Sequence, residues 1–346
     1  MSVRKNLKTE KVKAIVLLSG GLDSTLALKL VQQQGIDVIA VNFLFPFRTC
    51  DQKGRCFSKE IAQKFGVPYK VVSKGEEYLK VVRKPKYGYG KGMNPCIDCR
   101  IYMLKKTKKL LIELGAKFVV TGEVLGQRPM SQHRRALNLI EREAGLEGKI
   151  LRPLSGKLLP VTEPEKKGWI DREKLLTVQG KSRKPQFDLA RKLNVEEFAC
   201  PAGGCLLTQN EFASKLRDLF EHKKKVTAND VLLLKVGRHF RFGKNKIMVG
   251  RNEGENKILA ERKQKTDYIF EVPDWGSPIS ILQGKKSKEA IEFTAKLTAM
   301  YSDCKDEKVR VKYGSKSPLK TIIVKPSSKA DSMRYNLTLQ RGKVKN

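Results

Sequence analysis

Five apolar residues, Ala14-Ile15-Val16-Leu17-Leu18, lead directly into Ser19-Gly20-Gly21-Leu22-Asp23-Ser24, and a helix-like run from Thr25 to Val31 follows. A short strand, a glycine turn and a helix start leave few options for the fold. They also make an anion site, because backbone N–H groups at a helix N-terminus point at a ligand and the helix dipole favours negative charge. Gly20 and Gly21 let the backbone approach a phosphate where a Cβ would clash. Ser19 and Ser24 add hydroxyl donors. The loop lacks the Lys-Ser/Thr pair that a Walker A sequence carries after its second glycine.

The pattern downstream alternates as a parallel α/β domain requires. Strands are expected at 37–43, 69–72, 118–121 and 149–151. Helices are expected at 57–65 and at 100–114, where the apolar spacing is helical. Right-handed crossovers would place the carboxyl ends of the strands, and the Ser19 loop, along one binding edge. Residues 160–193 read as polar and helical, and 209–222 as an amphipathic helix. After Lys223-Lys224-Lys225 the texture changes to short strands and turns. The expected domains are 1–208, a linker helix at 209–225, and 226–346.

The chain has 346 residues, 71 of them basic and 36 acidic, for a net charge of +35. Such an excess predicts a polyanionic partner, RNA or DNA. No apolar run approaches the roughly 18 residues of a membrane span, and the apolar stretch near the N-terminus is too short for a signal peptide. The cytoplasm is therefore expected. Seven cysteines in such a chain suggest metal or redox chemistry more than a disulfide framework.

The SGGxDS loop resembles the pyrophosphate loop of the ATP pyrophosphatase (PP-loop) superfamily. The resemblance implies an adenine-nucleotide-hydrolase-like α/β parallel sheet with a second, smaller α+β domain. Thr121-Gly122-Glu123, Gly126-Gln127, Ser131-Gln132, Leu137-Asn138-Leu139 and Leu151-Arg152-Pro153-Leu154 follow in order. Together they resemble the PP-loop domain of tRNA 4-thiouridine synthases, well over residues 12–155 and loosely to 208. Those enzymes adenylate a tRNA uridine and replace its oxygen with sulfur. The resemblance implies ATP at Ser19, Gly20, Gly21, Asp23, Ser24, Gly122 and Gln127, with Asn42 and Phe43 bordering the adenine. Asp23 would orient the polyphosphate, directly or through Mg²⁺. The THUMP region usual in that family and the rhodanese domain of some members are not recognisable, so RNA docking and sulfur delivery should be arranged differently.

Asn94-Pro95-Cys96-Ile97-Asp98-Cys99 places two thiols at a helix start, where their pKa falls and they become ligands or nucleophiles. Cys200 and Cys205 lie a hundred residues on. Three readings stay open. A [4Fe–4S] cluster would use Cys96, Cys99 and Cys200 or Cys205, as in cluster-dependent thiolation enzymes of the same superfamily. Zinc would use all four thiols. Metal-free persulfide chemistry would use one thiol as acceptor and another, such as Cys205, as the catalytic partner. Cys50 and Cys56 read as free thiols and Cys304 as a packed small residue. His133 lies near the expected site, with no metal-ligand spacing.

Gly180 to Gln186 is a compact basic turn whose Arg183 and Lys184 could hold RNA or polyphosphate. Val236-Gly237-Arg238 and Val249-Gly250-Arg251-Asn252, with Glu255-Asn256, resemble the RNA-binding domain of NFACT-type proteins. Arg238, Arg241 and Arg251 among aromatics suit stacking and phosphate contact. The expectation is an ATP-dependent tRNA sulfurtransferase that makes 4-thiouridine or 2-thiouridine, with a cysteine desulfurase or free sulfide as sulfur donor. A PP-loop ligase or amidotransferase adding nitrogen would have no reason to hold paired thiols. A non-catalytic RNA-binding protein would have no reason to keep the intact loop.

Overall fold

The computed structural model describes residues 11–45, 47, 56–199, 204–315, 317 and 319–339. The chain divides into two compact units, residues 1–206 and 207–346.

In the first unit five strands, β1 (Lys13–Leu17), β2 (Asp37–Leu44), β3 (Tyr69–Ser73), β4 (Phe118–Val120) and β5 (Ile150–Leu151), form a parallel sheet in the order β3-β2-β1-β4-β5. Both faces are covered, so β1 reads as a continuous apolar run, as a central parallel strand does. Ala14 and Val16 enter one core layer and Ile15 the other. The helices α1 (Leu22–Gln32) and α2 (Phe57–Lys64) fill the first layer with Ala27, Leu28, Val31, Ile61 and Ala62. The helices α4 (Cys96–Glu113) and α5 (Arg134–Ala144) fill the second with Ile101, Leu104, Leu110, Leu111, Ile140 and Ala144. A short helix, α3 (Glu77–Arg83), precedes α4, and α6 (Glu163–Lys166) and α7 (Lys184–Lys192) follow α5.

The strand order reverses between β1 and β4. Ligands of open parallel sheets bind outside the strand ends at such a switch point. Two loops meet there, the one after β1 that holds Ser19 to Gly21 and the one after β4 that holds Gly122 and Glu123. The helix expected from Arg100 starts earlier, at Cys96, with Asp98 in its first turn, where the helix dipole favours a carboxylate. The stretch expected to be helical over 160–193 is mostly turns. Only α6, a 3₁₀ turn at Arg172–Lys174 and α7 are helical.

In the second unit six strands form an antiparallel sheet in the order β11-β10-β8-β9-β7-β6. They are β6 (Arg238–Phe242), β7 (Asn245–Val249), β8 (Tyr268–Glu271), β9 (Ser280–Gln283), β10 (Val309–Gly314) and β11 (Lys320–Val324). One face carries α11 (Lys288–Met300) through Ala290, Phe293, Ala295 and Leu297. The other buries Leu233 of α9 (Ala228–Leu233) and Leu259 of α10 (Glu253–Arg262) against Met248, Ile269 and Ile281. A last helix, α12, spans Lys329–Tyr335. The amphipathic helix α8 (Asn210–His222) belongs to this unit. Its Asp218 pairs with Arg241, and its Lys215 donates to the Leu234 and Gly237 carbonyls at 3.3 and 3.4 Å.

Candidate active site

The loop after β1 is held from within. Ser24 Oγ donates to the Gly21 carbonyl at 2.9 Å and lies 3.1 Å from Ser19 Oγ, and Thr25 Oγ1 donates to the same carbonyl at 3.1 Å. Gly20 sits at φ +79°, and a Cβ there would come within 2.9 Å of the Ser58 backbone nitrogen. Gly122 is tighter. A Cβ there would lie 2.5 Å from the backbone of Asp23 and Ser24. The glycine of the TGE block thus lets the β4 loop press directly on the first turn of α1. Ala199 donates its N–H to the Gly20 carbonyl at 2.7 Å, so the segment leading to Cys200 runs beside the same loop.

Asp23 is the charged centre of this junction. Its Oδ2 accepts from Gln127 Nε2 at 2.7 Å, and Gln127 Oε1 accepts from Gln186 Nε2 at 2.8 Å. Oδ1 of Asp23 is buried without a hydrogen-bond partner, as are Oε1 of Gln186 and Nε of Arg183. Burial raises the Asp23 pKa above its ordinary value, while Gln127, Arg183, Arg128 and Gln186 oppose the rise. Three buried polar groups from two segments, the start of α1 and the turn into α7, therefore share one place with unused capacity. Such groups usually mark a missing water, ion or ligand.

Glu123 of the TGE block is buried between two arginines. Arg152 Nε lies 3.0 Å from one carboxylate oxygen and Arg100 Nε 3.3 Å from the other. Burial works against the charge, yet Arg100 and Arg152 hold the Glu123 pKa below its usual range. Arg100 is the residue after Cys99, so this network ties the β4 loop to the thiol helix.

The two thiols of that helix differ. Burial opposes ionisation of both. Cys96 is pushed up further by the negative charge of Cys99. Cys99 is held below its ordinary value, chiefly by Lys74, whose Nζ donates to its sulfur at 3.0 Å. Lys74 is buried and packs over the rings of Tyr78 and Phe45 at 4.3 and 5.1 Å. Burial raises the Tyr78 pKa well above the ordinary value, and the charges of Cys99, Cys205 and Cys96 raise it further. Those three sulfurs therefore lie within electrostatic reach of one buried ring. Arg128 links this region to the nucleotide-type loop. Burial lowers its pKa, and Cys96 and Asp23 both act on it in the opposite sense.

Other expected site residues are placed differently. Asn42 is buried and donates to Ser58 Oγ at 2.6 Å and Tyr69 Oη at 2.9 Å, and Phe43 packs in the core, so neither offers an open face to an adenine. Cys56 joins the same group, 3.4 Å from both hydroxyls. His133 caps α5, accepting from the Ala136 N–H at 3.3 Å. Cys50 and Cys200 lie outside the described residues. Among the described residues, no three Cys, His, Asp or Glu side chains converge as a metal-holding set. Lys184 is exposed at the start of α7, and Cys304 is buried in the core of the second unit.

In the second unit the two Val-Gly-Arg blocks face one another across the β6–β7 hairpin, with Arg238 paired to Val249. Glu255 accepts from the N–H groups of Gly237 and Arg251 at 3.1 and 3.0 Å and also pairs with the Arg251 side chain. Asn256 accepts from the Ile279 N–H at 2.9 Å. The Glu-Asn pair thus fastens both turns. The Arg238 guanidinium lies 4.3 Å over the Tyr301 ring. Arg241 is held in a two-point pair by Asp218, at 2.8 and 2.5 Å, and is largely buried.

Sequence reasoning missed Lys74, Arg100, Arg128 and Gln186. Lys74 follows β3 in an ordinary polar turn, and nothing in its spacing from Cys99 marks it. Gln186 was legible only as the end of a basic turn.

Residues 12–140 match the family model for the tRNA methyl transferase HUP domain, and residues 237–336 match the NFACT protein RNA binding domain. A probable tRNA sulfurtransferase of Thermococcus kodakarensis is 29% identical over 148 residues, 42% of this chain and 37% of that protein. The tRNA-specific 2-thiouridylase MnmA of Acidithiobacillus ferrooxidans is 36% identical over 118 residues, 32% of this chain and 33% of its own. The chain thus spans about a third of the length of these relatives. The structure of the U34-tRNA thiolase NcsA from Methanococcus maripaludis, with its [4Fe–4S] cluster, superposes with a TM-score of 0.33 at 18% identity, covering 67% of this chain and 75% of that one. Among the described residues, no helix is long and apolar enough to cross a membrane.

Proposed function

We propose that this protein is an ATP-dependent tRNA thiolation enzyme. One observation carries the reading. A glycine loop with an under-satisfied carboxylate, Asp23, shares the basic wall of Arg100, Arg128 and Arg183 with a thiol pair of unequal acidity. Phosphate needs the loop and the arginines. Sulfur needs the thiols. The matched sulfurtransferase and 2-thiouridylase carry tRNA and sulfur transfer in their names.

On this reading ATP lies over Ser19 to Ser24. The free Oδ1 of Asp23 would be the chain's own ligand for Mg²⁺, which would neutralise polyphosphate charge there. A uracil carbonyl oxygen of the tRNA attacks the α-phosphorus, and pyrophosphate leaves. Sulfur attacks the adenylated carbon, and AMP leaves. Activation is required because a carbonyl oxygen is a very poor leaving group and AMP a good one. Arg128 and Arg183 balance the phosphate charge that builds during the first step. RNA is held in part by the second unit, through Arg238 on Tyr301 and through Arg251, and in the first unit by the exposed Lys184 and the partly buried Arg183.

The sulfur carrier has two readings. A [4Fe–4S] cluster would need Cys200 or Cys205 to join Cys96 and Cys99. A persulfide on Cys99 would take its outer sulfur from a persulfide donor such as a cysteine desulfurase. That sulfur would attack the adenylated carbon as AMP leaves. Cys205 would then attack the Cys99 sulfur, releasing the thiolated uridine and leaving a Cys99–Cys205 disulfide for a thiol reductant to reopen. Lys74 favours that reading by donating directly to the Cys99 sulfur and stabilising its thiolate. Incubation with ATP and tRNA should yield AMP, pyrophosphate and a thiolated uridine. Cys99→Ala should abolish thiolation but leave pyrophosphate release, and Cys304→Ala should change neither. Release of ADP and phosphate would overturn the reading. Iron and acid-labile sulfide in protein purified without oxygen, lost in Cys96→Ala, would decide for the cluster. Protein active without iron would decide for the persulfide.

A further inference from the structure

Between α3 and α4 the chain reads Arg83-Lys84-Pro85-Lys86-Tyr87-Gly88-Tyr89-Gly90-Lys91-Gly92. The stretch holds four cations, two tyrosines and no acid, and it ends four residues before Cys96. Lys84, Lys86, Gly88, Tyr89, Gly90 and Lys91 are exposed. An exposed basic loop is ordinarily solvated and mobile. This one is fastened at several points.

Asp98, buried between the two thiols on α4, accepts from the Lys86 N–H at 2.8 Å and the Tyr87 N–H at 3.1 Å. Tyr89 Oη donates to the Val82 and Arg83 carbonyls at 2.7 and 2.9 Å, and the Gly90 N–H donates to the Asn94 carbonyl at 2.9 Å. A Cβ on Gly90 would stand 2.9 Å from Met130 Sδ in the loop after β4, so glycine permits a close approach there. Gly88 turns at φ +72°. The residue that pins this strap is therefore the one that sits between the thiols in the first turn of their helix.

We propose that residues 84–91 form an RNA-binding strap that takes a single-stranded segment of the tRNA beside the thiols. Lys84 and Lys91 contact phosphates, and the Tyr89 ring stacks on an unpaired base. The charge and the chemistry select this occupant. Cations interleaved with an aromatic suit the backbone and the base faces of single-stranded RNA. Lys86 is partly offset by Glu143 at 2.9 Å, whereas among the described residues no ion pair is seen for Lys84 or Lys91. A held strap also binds at a lower entropy cost than a free loop. The inference rests on the tRNA-thiolation reading and adds an RNA contact on the first unit, at the sulfur side of the site.

The experiment measures binding of an unmodified tRNA transcript to the full chain as a function of salt, with thiolation followed in parallel. In Lys84→Ala/Lys91→Ala, the slope of log K against log salt should shrink by roughly 1.4 to 1.8, as two lost phosphate contacts require. Tyr89→Ala should weaken binding roughly five- to a hundredfold. Tyr89→Phe keeps the ring and loses the tether, and should bind nearly as the parent does. Circular dichroism melts check that the exposed substitutions leave the fold intact. Parent-like affinity and slope in the double variant, with the parent binding tRNA, would overturn the strap while leaving the thiolation reading in place. Unchanged RNA binding with slower transfer from a protein sulfur donor, but normal transfer from free sulfide, would assign the strap to that donor instead. A parent that neither binds nor thiolates tRNA would overturn the underlying reading itself.

Discussion

Asp23 of the first unit keeps a buried carboxylate oxygen with no hydrogen-bond partner, whereas Asp218 of the second unit, also buried, is gripped by the two-point fork of Arg241. Both lie on helices, and both face arginines. The difference is what surrounds them. Around Asp23 the neighbouring Gln186 and Arg183 also keep unused atoms, and the arginines approach without closing a pair. Around Asp218, His222 lies within 3.5 Å and Arg241 completes the set. A buried acceptor without a partner costs on the order of 1–3 kcal/mol. An arrangement that keeps one beside a glycine loop is built for a ligand, whereas one that closes every bond is built for the fold.

The sharpest way to break this contrast is Asp23→Asn. Removing the charge should lower pyrophosphate release from ATP by about a hundredfold or more, the scale seen when a preorganised electrostatic group is lost. The fold should be no weaker. Because burial raises the Asp23 pKa, its charge opposes folding above the ordinary carboxylate range, and that cost is relieved as the pH falls. The variant should therefore match or exceed the parent in melting temperature at pH 7. A clear loss of stability would place Asp23 with Asp218 as a structural residue.

Asp218→Asn should behave in the opposite way. It strands the largely buried Arg241 without its charge partner, which should cost on the order of 3 kcal/mol. Urea unfolding should show the loss, with pyrophosphate release per folded molecule unchanged. Loss of that activity at full stability would overturn the structural assignment.

These two residues also show what the chain made legible. Asp23 stood out because a strand, two glycines and a helix start enclose it, and each signal is local. The parallel order of the first sheet followed from the same alternation of strand and helix. Arg241 looked like an RNA contact because it alternates with Phe240 and Phe242 along β6. Alternation gives the side of a strand and not what covers it, and here α8 brings Asp218 onto that side from 23 residues away. Lys74 was illegible for the same reason. Its partner Cys99 is 25 residues distant, and only the packing of α4 beside the β3 turn joins them. Asn42 read as a strand-end residue open to ligand, but the hydroxyls of Ser58 and Tyr69 close over it.

Lys246 tests the second unit's half of the contrast with the smallest expected effect. It lies opposite Arg241 in the β6–β7 ladder and is buried. The charged groups acting on it are Asp218, Arg241, Asp230 and Lys215, and it acts in turn on the buried His239. Burial is the largest influence, and its pKa is lowered to about 7. Because the folded value lies below the unfolded one, folding expels a proton between pH 7 and about 10.4. The penalty for burying the charge is then complete below pH 7. It fades as the pH rises, by up to about 1.4 kcal/mol per unit. Lys215, lowered to about 8, contributes in the same sense over a narrower window. Lys246→Met should thus be more stable than the parent at pH 6, by about 2 kcal/mol, and the gap should close towards pH 10. Urea denaturation at pH 6, 8 and 10 measures it. A gap that stays constant with pH would mean that Lys246 is charged in both states, its ammonium satisfied as fully as the Asp218 carboxylate beside it.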